Sequence, residues 1–155
     1  MTAVMRHIIC FGNPLHGDDG FGHAVYQRLA SLQARADVRL FDAGTVGLSA
    51  LALFQDCDET IIVDARISGG EPGSLSHPSP QTLITEATLS NHGAGVGYLL
   101  RALAALPEPM PKISILAAEI STTTSFHWGL SSPVAGAVDK AVVILSRYFH
   151  ANGHE

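Results

Sequence analysis

Three short runs in this chain, 4–11, 60–64 and 113–117, carry apolar residues without the in–out alternation of a half-buried strand. Strands of that kind belong inside a parallel sheet with both faces covered. The stretches between them change period. Phe21, Val25, Leu29 and Leu32 recur at helical spacing, and Val96, Leu99, Leu100, Leu103 and Leu106 do so again before Pro107, Pro109 and Pro111 break the pattern. A third stripe, Val134, Val138, Val142, Leu145 and Phe149, opens at Ser132 as N-cap with Pro133 at the first helical position. Residues 38–41 predict another strand, ended by Asp42-Ala43-Gly44-Thr45, and Thr45 is placed to cap a short helix through Leu48, Leu51 and Phe54. The Gly-, Ser- and Pro-rich stretch 68–80 predicts a loop with a short edge strand near 73–76, and 121–128 predicts a long polar loop. The expected fold is α/β: a three-layer sandwich with a mostly parallel central sheet covered by helices on both faces.

No linker or internal repeat divides the 155 residues, so one domain over 1–155 is expected. A net charge of −5 without a Lys/Arg cluster argues against nucleic acid as a partner. No run is long and apolar enough to cross a bilayer. Cys10 and Cys57 stand in no CxxC motif, which suits a reducing, cytoplasmic setting.

In a sheet of this type ligands bind beyond the carboxyl ends of the strands. Asp18 and Asp19 follow the first strand there, Asp42 the second and Asp64 the third; His92 stands at the mouth of a helix. The loop from Gly12 to Gly22 is glycine-rich, yet it matches neither G-x-G-x-x-G nor G-x-x-x-x-G-K-[ST]. Two adjacent carboxylates where a phosphate would rest also oppose an anion. Each acid alone has a plain structural use, as a cap or a turn partner, and a loop histidine is often satisfied by backbone. Their convergence on one edge is what points to chemistry. Two carboxylates and an imidazole suit a borderline divalent ion such as Ni²⁺ or Zn²⁺, with positions left open, or acid–base hydrolysis at a peptide carbonyl. HExxH and G-x-S-x-G are both absent, so a helical zinc-protease site and a serine nucleophile have no support.

The ordered segments Gly12-Asn13-Pro14-Leu15 through Asp18-Asp19-Gly20-Phe21-Gly22, Asp42-Ala43-Gly44-Thr45 with Gly47, Ile62-Val63-Asp64-Ala65, Ser90-Asn91-His92 and Gly129-Leu130-Ser131-Ser132-Pro133-Val134 resemble the maturation endopeptidases of nickel–iron hydrogenases. The resemblance runs along nearly the whole chain. It implies an α/β sandwich that removes a C-terminal peptide from the precursor of a nickel–iron hydrogenase large subunit after nickel insertion. By position it implies that Asp19, Asp64 and His92 contact nickel supplied by the substrate, so the resting enzyme is expected to be metal-free. Asp18 is then left as a brace or cap. Asp42, in a turn where Ala43 replaces a usual family glycine, is a candidate for water activation or peptide contact. The stretch Ala117-Ala118-Glu119-Ile120 and the loop with Ser121-Thr122-Thr123-Thr124 depart from the family pattern. Two other functions stay open on the residues alone: a nickel-binding assembly factor that does not cut, and a peptidase of similar fold with another protein substrate.

Overall fold

In a computed structural model, described over residues 4–90, 95–121 and 126–150, the chain builds a five-stranded sheet in the order β3-β1-β4-β6-β5. Its strands are β1 (Arg6–Phe11), β3 (Val38–Gly44), β4 (Glu59–Arg66), β5 (Leu75–Ser76) and β6 (Lys112–Glu119). The pairs β1–β3, β1–β4 and β4–β6 are parallel, and only the short edge strand β5 runs antiparallel, against β6. A separate two-stranded ribbon joins β2 (Gln33–Ala34) to β7 (Phe149–His150).

The runs without alternation became central strands because each of their faces meets a different helical layer. On one face Ile8, Cys10, Val63 and Leu116 pack with Phe21, Val25 and Leu29 of α1 (Phe21–Ala30) and with Val134, Val138 and Leu145 of α4 (Ser132–Leu145). On the other, Ile9, Phe11, Ile62 and Ile115 pack with Leu99, Leu100 and Leu103 of α3 (Val96–Ala104) and with Ala50 and Phe54 of a 3-10 segment, Gly47–Phe54. These side chains lie in the sheet's two covered faces, where full burial of each Val, Leu, Ile or Phe among them contributes about 1.5–3 kcal/mol. The result is the expected three-layer α/β sandwich.

Local departures from the expected elements have local causes. Strand β3 runs on to Gly44 instead of ending at Phe41, with a register shift between Cys10 and Phe11 that pairs Cys10 with Asp42 and Phe11 with Gly44. Thr45 caps nothing: Val46 occupies the N-cap position of the following 3-10 segment, with no side-chain cap. Ser131, not Ser132, precedes α4, and its hydroxyl is used elsewhere. Phe149 leaves the helical stripe to join the ribbon, and Leu106 lies past the end of α3. A helix that no periodicity announced, α2 (Pro80–Ser90), packs against α3 with Leu83 and Ile84 turned to the second face. Its start is held by Ser79, whose hydroxyl oxygen accepts from the Thr82 N–H at 3.1 Å. His92 and residues 122–124 lie outside the described residues.

Candidate active site

The first loop is built to hold one carboxylate. After β1 the chain turns at Gly12, where φ is +130° and a Cβ would stand 2.1 Å from the carbonyl oxygen of Asp19. Only glycine fits there. The returning chain forms a single 3-10 turn, Gly17–Gly20, that leads directly into α1. Gly22, in the first turn of α1, lies so close to β1 that a Cβ would meet the Phe11 carbonyl oxygen at 2.1 Å. Asp19 is then fixed by the Asn13 N–H, which donates to Oδ2 at 2.9 Å, while the Asn13 side-chain oxygen accepts from the Leu15 N–H.

Its neighbour Asp18 serves another purpose. The Ser131 N–H donates to Asp18 Oδ1 at 2.7 Å and the Ser131 hydroxyl to Oδ2 at 2.8 Å. The pair ties the first loop to the start of α4, 113 residues away. Asp18 is a brace.

Asp64 sits near the carboxyl end of β4 on the face that looks toward α3. Asp19 and Asp64 line one cavity of about 450 Å³. Backbone of Gly12, Gly44, Gly47 and Gly95 opens its walls, and Phe11, Leu48, Val96, Tyr98 and Leu99 make them apolar. Burial raises the Asp64 carboxyl to about 8, the charge of Asp19 adds to the rise, and the Ala65 N–H donated to Oδ1 at 2.8 Å opposes it. At neutral pH, therefore, Asp64 holds a proton that it can give up to a base or lose to a cation. A partly closed apolar cavity with paired carboxyl groups at one end is equipped for proton transfer or for binding a cation.

Asp42 does not join this pair. It lies between Phe41 and Ala43, which pack on the cavity-side face, so strand alternation sends its side chain to the α1 side. There Asp42 Oδ2 stands 2.9 Å from Nδ1 of His23 on α1. His92 is outside the described residues, among which no three His, Cys, Asp or Glu side chains form a metal-holding group. Of the cavity walls, Gly12, Gly44, Thr45 and Gly47 stood in quoted motifs, while His23 and the apolar wall were not singled out as site residues. Leu48, Val96 and Leu99 were legible only as helix stripe, and Tyr98 gave no signal of its own.

Fold and cavity thus define a class, an α/β sandwich with a carboxyl-bearing cavity at the open edge of a parallel sheet. The family model for hydrogenase maturation protease matches residues 23–147 of the chain. A protein of Methanocaldococcus jannaschii described as a hydrogenase maturation protease is 32% identical over 142 residues, covering 89% of this chain and 92% of the relative. Among solved structures, the hydrogenase maturating endopeptidase HybD from E. coli superposes with a TM-score of 0.78 at 21% identity, over 92% of this chain and 90% of that one. The [NiFe] hydrogenase maturation protease HycI from Thermococcus kodakarensis gives 0.74 at 23% identity, over 94% and 92%. These two likenesses speak to the fold. The chain belongs to the hydrogenase maturation protease family, and is thereby a hydrolase of the peptidase class.

Proposed function

We propose that this protein removes a C-terminal peptide from the nickel-loaded precursor of a nickel–iron hydrogenase large subunit, and that it reads the substrate's nickel through Asp19, Asp64 and His92. The observation that carries the proposal is the pair of carboxyl groups lining one largely apolar cavity, one of them, Asp64, raised to about 8 by burial first and by the charge of Asp19 second. A divalent ion brought in by the substrate would displace the Asp64 proton and offset the repulsion between the two acids. The oxygen donors suit nickel, and an imidazole would complete a borderline set. His92 stands three residues before Gly95 in the sequence, and Gly95 lines the cavity.

In this proposal nickel positions the scissile peptide over the carboxyl pair, and Asp64 or Asp19 handles the proton of the attacking water. Asp42, whose Oδ2 meets His23 Nδ1 on the other face of β3, stands apart from the carboxyl pair in this reading. The two free cysteines, Cys10 and Cys57, favour a cytoplasmic location.

The test is to incubate the protein with nickel-loaded and with nickel-free precursor and to follow the released C-terminal peptide by mass spectrometry. Release from the loaded precursor alone is expected. Equal release from both would remove nickel from the mechanism, and no release with metal handed over would replace proteolysis by metal transfer.

A further inference from the structure

The large apolar side chains left in solvent gather partly around the loop that carries Asp19. Leu15 is 48% exposed, Phe126 88% and Trp128 67%, against a chain whose other large aromatics are mostly buried or half-buried. They belong to two segments locked side by side. The Gly17 N–H donates to the His127 carbonyl at 2.7 Å and the His127 N–H to the Leu15 carbonyl at 2.8 Å, a parallel bridge between His16 and His127. The His16 ring meets the Phe126 ring edge-on, with centroids 6.3 Å apart. Phe126 takes φ +58°, a left-handed conformation uncommon for a bulky residue.

Behind Trp128 lies a cleft of about 110 Å³, bounded by Pro14, Gly20, His23 and Leu130, with room for roughly one apolar side chain. The rim itself, Leu15, His16, Phe126, His127 and Trp128, contains no carboxylate, ammonium or guanidinium. Uncharged, aromatic-rich surface of this kind marks the core of protein interfaces, where Trp and Tyr dominate the energetics. Nothing in the proteolytic chemistry uses it, since these side chains do not line the cavity with Asp19 and Asp64.

We infer that the Leu15–Phe126–Trp128 rim is the docking surface for the folded body of the large-subunit precursor, distinct from the cavity that receives its C-terminal tail. This rests on the proposed function: a folded protein that delivers a peptide to Asp19 must cover the carboxyl edge of the sheet. Leu15 is four residues from Asp19 in the same hydrogen-bonded loop. That continuity selects the precursor as occupant.

Trp128 is the sole tryptophan of the chain, so the chain labelled with 5-fluorotryptophan gives one ¹⁹F signal that reports on the rim. Adding unlabelled nickel-loaded precursor is expected to shift or broaden that signal and to protect it from a soluble quencher. In a parallel kinetic assay the double variant Phe126→Ser/Trp128→Ser, checked for an unchanged Tm, is expected to raise KM at least tenfold with kcat within twofold. An unmoved Trp128 signal at saturating precursor, or an unchanged KM in the folded variant, overturns the docking surface even where cleavage proceeds. A signal that moves with the concentration of the labelled chain alone also overturns it, assigning the rim to a second copy. If the signal moves with precursor but wild type releases no peptide, the docking surface stands and the proteolytic proposal falls.

Discussion

Replacing Asp64 by asparagine removes a titratable group that burial and the charge of Asp19 hold near pKa 8, against an ordinary value of 3.8. The side chain keeps its shape, and its oxygen can still accept from the Ala65 N–H. In the wild type the native state retains a proton that the unfolded chain has already lost between those two values. The native state therefore binds more protons, and stability falls as pH rises from about 4 to about 8. Below pH 4 both states are protonated and the carboxyl costs nothing. At pH 7 roughly three of the four units count, and at about 1.4 kcal/mol per unit the penalty is at most about 4 kcal/mol. The open side of the cavity lowers this toward about 2 kcal/mol. For a chain of this length each kcal/mol moves Tm by about 2–4 °C, so Asp64→Asn should melt on the order of 5–10 °C above wild type at pH 7. Thermal unfolding of both proteins from pH 4 to pH 9, followed by circular dichroism, tests the sign as well as the size. The two curves should coincide near pH 4, part as pH rises and stay parallel above pH 8–9. A gap that is constant with pH, or a variant that melts below wild type at pH 7.5, would refute the burial-and-repulsion account of Asp64.

The other perturbations test the scaffold that holds the cavity. Gly12→Ala places a methyl against the Asp19 carbonyl at a positive φ, and should cost about 1–3 kcal/mol in chemical denaturation with a larger proportional loss of processing. Ser131→Ala takes one of two donors from Asp18 and leaves the backbone N–H; a loss of about 0.5–1.5 kcal/mol is expected, and no loss would show that the brace is idle. Leu100→Ala opens a void in the fully buried second core and should lower the unfolding free energy by about 2–5 kcal/mol, read from the urea midpoint at constant slope.

What the sequence disclosed followed from burial on two sides. Ile8–Phe11, Ile61–Val63 and Ile115–Leu116 could satisfy no solvent-facing surface, and they took the central positions of the sheet. Helix α2 stayed hidden because its 11 residues carry Thr82, Thr85 and Thr88 and only a narrow apolar line at Leu83 and Ile84. Asp42 illustrates a finer limit. Which face of a strand a residue occupies depends on where the strand ends, and β3 runs three residues past Phe41 with a register shift. An acid that reads as a loop residue beside Asp64 is therefore a strand residue facing α1 and His23. The family resemblance left Asp18 as a brace or cap beside Asp19, but its partner was not legible; Ser131, distant in sequence, supplies it.

The central claim is that Asp19 and Asp64 together act on a nickel-bearing substrate, and single-turnover processing of nickel-loaded precursor tests it most directly. Wild type, Asp19→Asn and Asp64→Asn would be compared at equal folded concentration, with release of the C-terminal peptide as the signal. The account predicts that each variant loses at least about a thousandfold in rate, the scale of removing a group that acts on the reacting atoms, while Asp64→Asn is the more stable protein. Processing by either variant within threefold of wild type would contradict it.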